Sequence, residues 1–122
     1  DRRSHTRLPL RVAVRQQVLR GQPLFGVALA QSSDVGLGGM RIWRRCEPSE
    51  ELLAIGTELL LSFELPGTDG LLELPCVVAF DEAQGRNRDY RMTGVSFASL
   101  SVEQEAQLTQ FLSLPEHQHP ET

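Results

Sequence analysis

The run Leu59-Leu60-Leu61-Ser62-Phe63-Glu64-Leu65, the turn Pro66-Gly67-Thr68-Asp69-Gly70 and the run Leu72-Glu73-Leu74-Pro75-Cys76-Val77-Val78-Ala79-Phe80 decide the fold. Leu59, Leu61, Phe63 and Leu65 fall at every second position, and so do Leu72, Leu74, Cys76, Val78 and Phe80. A period of two is that of a strand with one buried face. Two such runs joined by a Pro- and Gly-rich turn predict a β-hairpin. Pro75 lies on the outward side of the second run. It cannot donate to a ladder, so an exposed edge is expected there.

The same period extends in both directions. Leu8, Leu10, Val12, Val14 and Val18 alternate with Arg11, Ala13, Arg15 and Gln17, which predicts one long strand with its arginines outward. Gly21-Gln22-Pro23 ends it. Phe25, Val27 and Leu29 form a second strand that stops at the polar run Gln31-Ser32-Ser33-Asp34. Met40 and Ile42 face one way in a short third strand, with Arg41 and Trp43 the other way. After the hairpin, a turn near Gln84-Gly85-Arg86-Asn87 leads to a last strand through Tyr90, Val95 and Phe97. Gly94 interrupts that strand and is expected to mark a bulge.

Two segments read as helix. Ser49 followed by Glu50, Glu51, Leu52, Leu53 and Ile55, ended by Gly56, predicts a short capped helix. Ser101 with Gln104 three residues on is a capping box, and Leu108, Phe111 and Leu112 form an apolar stripe at helical spacing. Pro115 is expected to stop that helix, leaving residues 115–122 as a polar, disordered tail. Six strands and a terminal helix in 122 residues imply one mainly β domain, a small antiparallel barrel with the helix plugging or flanking it.

Charge is unevenly distributed. All twelve basic residues are arginine; nine lie in residues 1–45 against two acids, and three lie in residues 46–122 against fourteen acids. A basic pole on a chain of net charge −4 favours a local anionic ligand over bulk binding to DNA or a membrane surface. No apolar run is long enough to span a bilayer, and no signal-peptide pattern is present. Cys46 and Cys76 have no metal-like spacing and read as reduced, buried thiols of a cytosolic protein. No nucleophile, Cys/His pair or carboxylate pair stands out from the strand pattern, so no enzyme activity is expected. His117 and His119 lack a third ligand, so no metal or cofactor is expected.

Two stretches stand apart from the core pattern. Asp1-Arg2-Arg3-Ser4-His5-Thr6-Arg7 sets three arginines just ahead of the first strand, and Asp34-Val35-Gly36-Leu37-Gly38-Gly39 sets a carboxylate at the mouth of a glycine-rich turn. Guanidinium offers paired donors that match phosphate oxygens. A carboxylate suits a base edge rich in N–H donors, such as that of guanine. Each stretch alone has a structural explanation, a solvated terminus and an ordinary turn; together they suggest a guanine nucleotide with exposed phosphates.

The chain resembles the PilZ domain family over residues 2 to about 114. That family opens with Arg-Arg-x-x-x-Arg, matched by Arg2, Arg3 and Arg7. Its second motif, Asp/Asn-x-Ser-x-x-Gly, is matched by Asp34, Gly36 and Gly39, with Gly36 in place of the serine. Gly39-Met40-Arg41-Ile42, Gly56-Thr57, Leu65-Pro66-Gly67 and Gly94-Val95-Ser96-Phe97 are also similar to the family pattern. The resemblance implies a six-stranded split barrel with a C-terminal helix; the short helix read from Ser49 to Gly56 falls between the third and fourth strands, in a segment longer than the family's usual one. It also implies a bacterial, cytoplasmic receptor domain for cyclic di-GMP. Arg3 and Arg7 would wrap the phosphates and stack on guanine, with Arg2 in support. Residues 1–7 would be a flexible arm that orders on binding and signals to a protein partner or adjacent domain. Two alternatives stand beside it: a PilZ-like domain that has lost the nucleotide and binds proteins, and a small barrel binding single-stranded nucleic acid. The seven aromatics, most at inward positions, argue against the last.

Overall fold

The computed structural model describes residues 8–20, 27–66 and 70–113. They form β1 (Leu8–Pro9), β2 (Ala13–Arg20), β3 (Val27–Val35), β4 (Gly39–Arg45), β5 (Glu58–Phe63), β6 (Leu72–Gln84), β7 (Tyr90–Phe97) and α1 (Val102–Leu112). Six strands, in the order β3-β2-β5-β6-β7-β4, close on themselves because β4 pairs back with β3; every pairing is antiparallel. The two residues of β1 add to β3. Closure removes the free edges that an open sheet of this size would present.

The hairpin is as its pattern predicts. Leu59, Leu61, Phe63 and Leu65 of the β5 run are buried, as are Leu72, Leu74, Cys76 and Val78 of β6. They share one core cluster with Val14, Met40, Ile42 and Val95 and with Leu108 and Phe111 of α1. Ser101 caps α1: its hydroxyl accepts from the Gln104 amide, and Gln104 returns a bond to the Ser101 N–H. The Gln104 side chain also donates to the Glu73 carbonyl at 2.7 Å, tying helix to sheet.

Several expectations are corrected. The long first strand is two pieces. Between them the backbone bonds to β3 around Ser32, whose hydroxyl accepts from Val12 N–H at 2.9 Å and donates to the Leu10 carbonyl. The second strand does not stop at Gln31 but continues to Val35, and Leu29 is 73% exposed. Phe25 lies outside the described residues. The helix expected at 49–55 is absent. Its backbone groups are taken by side chains from distant strands: Leu53 N–H donates to Asp81 at 2.7 Å, and the Glu50 carbonyl accepts from Arg91. β6 is no edge, since β5 flanks it on one side and β7 on the other. Pro75 is tolerated because its carbonyl accepts from Ala98, one residue past the end of β7, so its nitrogen also faces a position where the ladder has ended.

Gly94 is not a bulge. The β4–β7 register runs unbroken from Gly39↔Ser96 to Arg45↔Tyr90, and the extra residue is Ala79 in β6, between Val78 and Phe80. Gly94 is required for another reason. A β-carbon there would lie 2.2 Å from the Phe80 ring. A second bulge, at Ser33, interrupts the β3–β4 pairing. Each bulge reverses which side chains face inward. After Ser33, Asp34 turns outward opposite Arg41; after Ala79, Phe80 turns outward opposite Gly94.

Candidate ligand-binding site

The β3–β4 turn spans Gly36–Gly38 and is closed by Gly36 N–H donating to the Gly39 carbonyl at 2.9 Å. Phe97 N–H donates to the Gly38 carbonyl, which fastens the turn to the end of β7. Glycine is essential at 39, where a β-carbon would sit 2.0 Å from the Val95 carbonyl oxygen. The left-handed glycines among the described residues are Gly56, Gly70 and Gly85, and Gly36 is not one of them.

Beside this turn a groove of about 370 Å³ runs over the outer wall, with Gly39 and Arg41 of β4, Phe80 of β6, and Gly94 and Ser96 of β7 along it. Two glycines and a ring seen across Gly94 make its floor low and flat. Arg41 supplies its charge. The guanidinium donates through Nε to Asp34 Oδ2 at 2.8 Å and through Nη2 to the same oxygen. The Asp34 carboxylate holds Arg41 above its ordinary pKa, first through these hydrogen bonds and then through charge attraction.

Of the residues singled out from the sequence, Asp34, Gly36 and Gly39 come together at this turn. Arg2, Arg3 and Arg7 lie outside the described residues. Their point of attachment does not: Leu8 pairs with Val35 and Pro9 with Asp34. Arg41 was missed as a site residue. Its outward position in β4 was legible, but its partner was hidden by the Ser33 bulge. Trp43, expected on the same face as Arg41, is half-buried on the same outer wall beyond the groove, near Arg45, which lies 5.1 Å over the Tyr90 ring. Among the described residues no three His, Cys, Asp or Glu side chains cluster as metal ligands, and no helix is long and apolar enough to cross a membrane.

A family model of the PilZ domain matches residues 1–114. The chain belongs to the PilZ domain family. No curated protein matches it. Among solved structures it is similar to the Bacillus subtilis inhibitor of motility MotI/DgrA, at 17% identity and TM-score 0.69 over 91% of this chain and 49% of that one. The PilZ domain of Escherichia coli YcgR, solved with c-di-GMP, gives 17% identity and TM-score 0.65 over 98% and 96% of the two chains. The K. pneumonia MrkH–c-di-GMP complex gives 14% and 0.65 over 92% and 50%. At these identities the likeness establishes the fold. The chain spans about half the length of MotI/DgrA and of MrkH.

Proposed function

We propose that this chain is a receptor domain for cyclic di-GMP, bound on the outer wall beside the β3–β4 turn. One observation carries the reading: β1, which begins immediately after Arg7, is paired against Asp34 and Val35. That pairing supports a shared site for the two sequence features that suit phosphate and guanine. Arg3 and Arg7 take the phosphates and stack on a base, Arg2 adds charge, and Asp34 and the turn backbone at Gly36 and Gly39 meet guanine. YcgR and MrkH, similar in fold, were solved with this nucleotide. Ordering of the arginine segment over the wall then passes the signal to a protein partner or adjacent domain. The role is recognition, without catalysis.

Calorimetric titration with cyclic di-GMP, with GMP and an oligonucleotide as controls, tests the reading. Arg3→Ala and Arg7→Ala should each weaken binding roughly ten- to a hundredfold, the loss of one charge-assisted contact, with melting temperature unchanged. Parent-like affinity in either variant would refute its assigned role.

Gly36 supports a second reading, a PilZ domain that has lost the nucleotide and binds proteins. The serine hydroxyl is missing, a loss of about 0.5–1.5 kcal/mol. Since the backbone at 36 is not left-handed, serine meets no positive-φ penalty there. Gly36→Ser should therefore keep or tighten binding, by up to about tenfold. A parent that does not bind beside a serine variant that does would favour the second reading.

A further inference from the structure

We propose that Arg41 is a specificity-determining residue that reads guanine jointly with Asp34, an inference that deepens the cyclic di-GMP reading and rests on it. The Ser33 bulge brings the two side chains opposite each other on the outer wall, at the register pair Asp34↔Arg41. The arginine is the more accessible member, with 43% of its side chain exposed against 13% for the aspartate. Both guanidinium contacts use Nε and Nη2; Nη1 has no hydrogen-bond partner among the described residues. On the β7 side Arg41 faces Gly94, against which the Phe80 ring packs, and all three line the groove.

The pair therefore displays a carboxylate acceptor next to a guanidinium donor. Guanine's Watson–Crick edge carries the complement, N1–H and N2–H donors followed by the O6 acceptor. Asp34 accepts from the first two and Arg41 donates to the third. Adenine reverses the pattern. Its N1 lone pair would face the carboxylate and its N6 amino group the guanidinium, so that acceptor meets acceptor and donor meets donor in a partly buried site. Mismatched polar groups of this kind produce discrimination that shape alone does not.

The test is a pair of titrations, cyclic di-GMP and cyclic di-AMP, on the parent, Arg41→Met, Arg41→Gln and Asp34→Ala. The parent should prefer cyclic di-GMP strongly. Arg41→Met should lose roughly ten- to a hundredfold toward cyclic di-GMP while cyclic di-AMP affinity stays level or rises. Arg41→Gln, which keeps a neutral donor, should retain part of the preference. Arg41→Met added to Asp34→Ala should cost less than the two single losses combined, because the pair acts as one unit. A variant that weakens both nucleotides equally, or keeps the parent's preference, overturns the role of Arg41 and leaves the receptor reading intact. A parent that binds neither nucleotide overturns the receptor reading, and this inference with it.

Discussion

Two of the arginine–carboxylate pairs of strand β4, those of Arg41 and Arg44, lie three residues apart, and their settings differ. Arg41 meets Asp34 on the outer wall, with its guanidinium in reach of solvent. Arg44 meets Glu50 with side chains only 10% and 11% exposed, where the segment after β4 folds against the barrel. Around that second pair Arg91 donates to the carbonyls of Arg88 and Glu50, and Asp81 accepts from Leu53 N–H and from the Thr93 hydroxyl at 2.6 Å. The chemistry is the same and the roles diverge. A buried pair holds a segment that has little regular structure; an open pair leaves one partner able to meet a ligand.

Stability should separate the two most sharply. Arg44→Met leaves the Glu50 carboxylate in a dry place and should destabilise by about 3 kcal/mol, as when one member of a buried pair is removed. Arg41→Met should change stability by less, about 1 kcal/mol, because the Asp34 carboxylate, though only 13% exposed, keeps a further interaction besides Arg41. Denaturant melts on the two variants give the answer directly, and equal losses would break the distinction between staple and site. Next in size is Gly39→Ala. Its methyl meets the Val95 carbonyl, so β4 and β7 must part at the groove, at a cost of about 1–3 kcal/mol. Cyclic di-GMP affinity should fall with it, since the turn and the groove share that contact.

The smallest effect is a pH dependence that probes how dry the interior is. Burial pushes the Cys76 thiol up to about 12 from an ordinary value of 9.0. The unfolded chain loses this proton first, so the contribution is fully present below about pH 9 and is lost progressively as pH rises toward 12. Thermal melts between pH 7 and pH 11 should show stability falling above pH 9, with a flatter profile in Cys76→Val. Cys46 is also raised, chiefly by burial, but it is half-exposed. A thiol reagent should therefore label Cys46 well before Cys76.

What the sequence made legible follows from what lines the interior. The β5–β6 hairpin and α1 could be read because their inward residues are apolar and evenly spaced up to Val78. At the end of β4 and the start of β7 the inward face could not be read, because there the inward residues are Arg44, Arg91 and Thr93, which pattern as surface. The bulges at Ser33 and Ala79 add one residue each and leave no mark in composition, so Phe80 was expected inside and the facing of Asp34 toward Arg41 was hidden. The helix expected from Ser49 to Gly56 had sound local signals and lost to long-range bonds from Asp81 and Arg91. Of the candidate site, the family motifs marked Asp34, Gly36 and Gly39. Arg41 became visible only once the register was known.

The contact between Phe80 and Gly94 makes the depth of the groove a transferable quantity. The ring fills the space a β-carbon at 94 would claim. Volume on this wall is thus held by one strand at the expense of the other, and either owner alone satisfies the packing. Phe80→Ala would lower the floor by a ring, and Gly94→Ala, forbidden in the parent, would then become admissible. A domain built this way can be retuned for a bulkier or flatter ligand by exchanging side-chain volume between β6 and β7, with the strand pairing left as it stands.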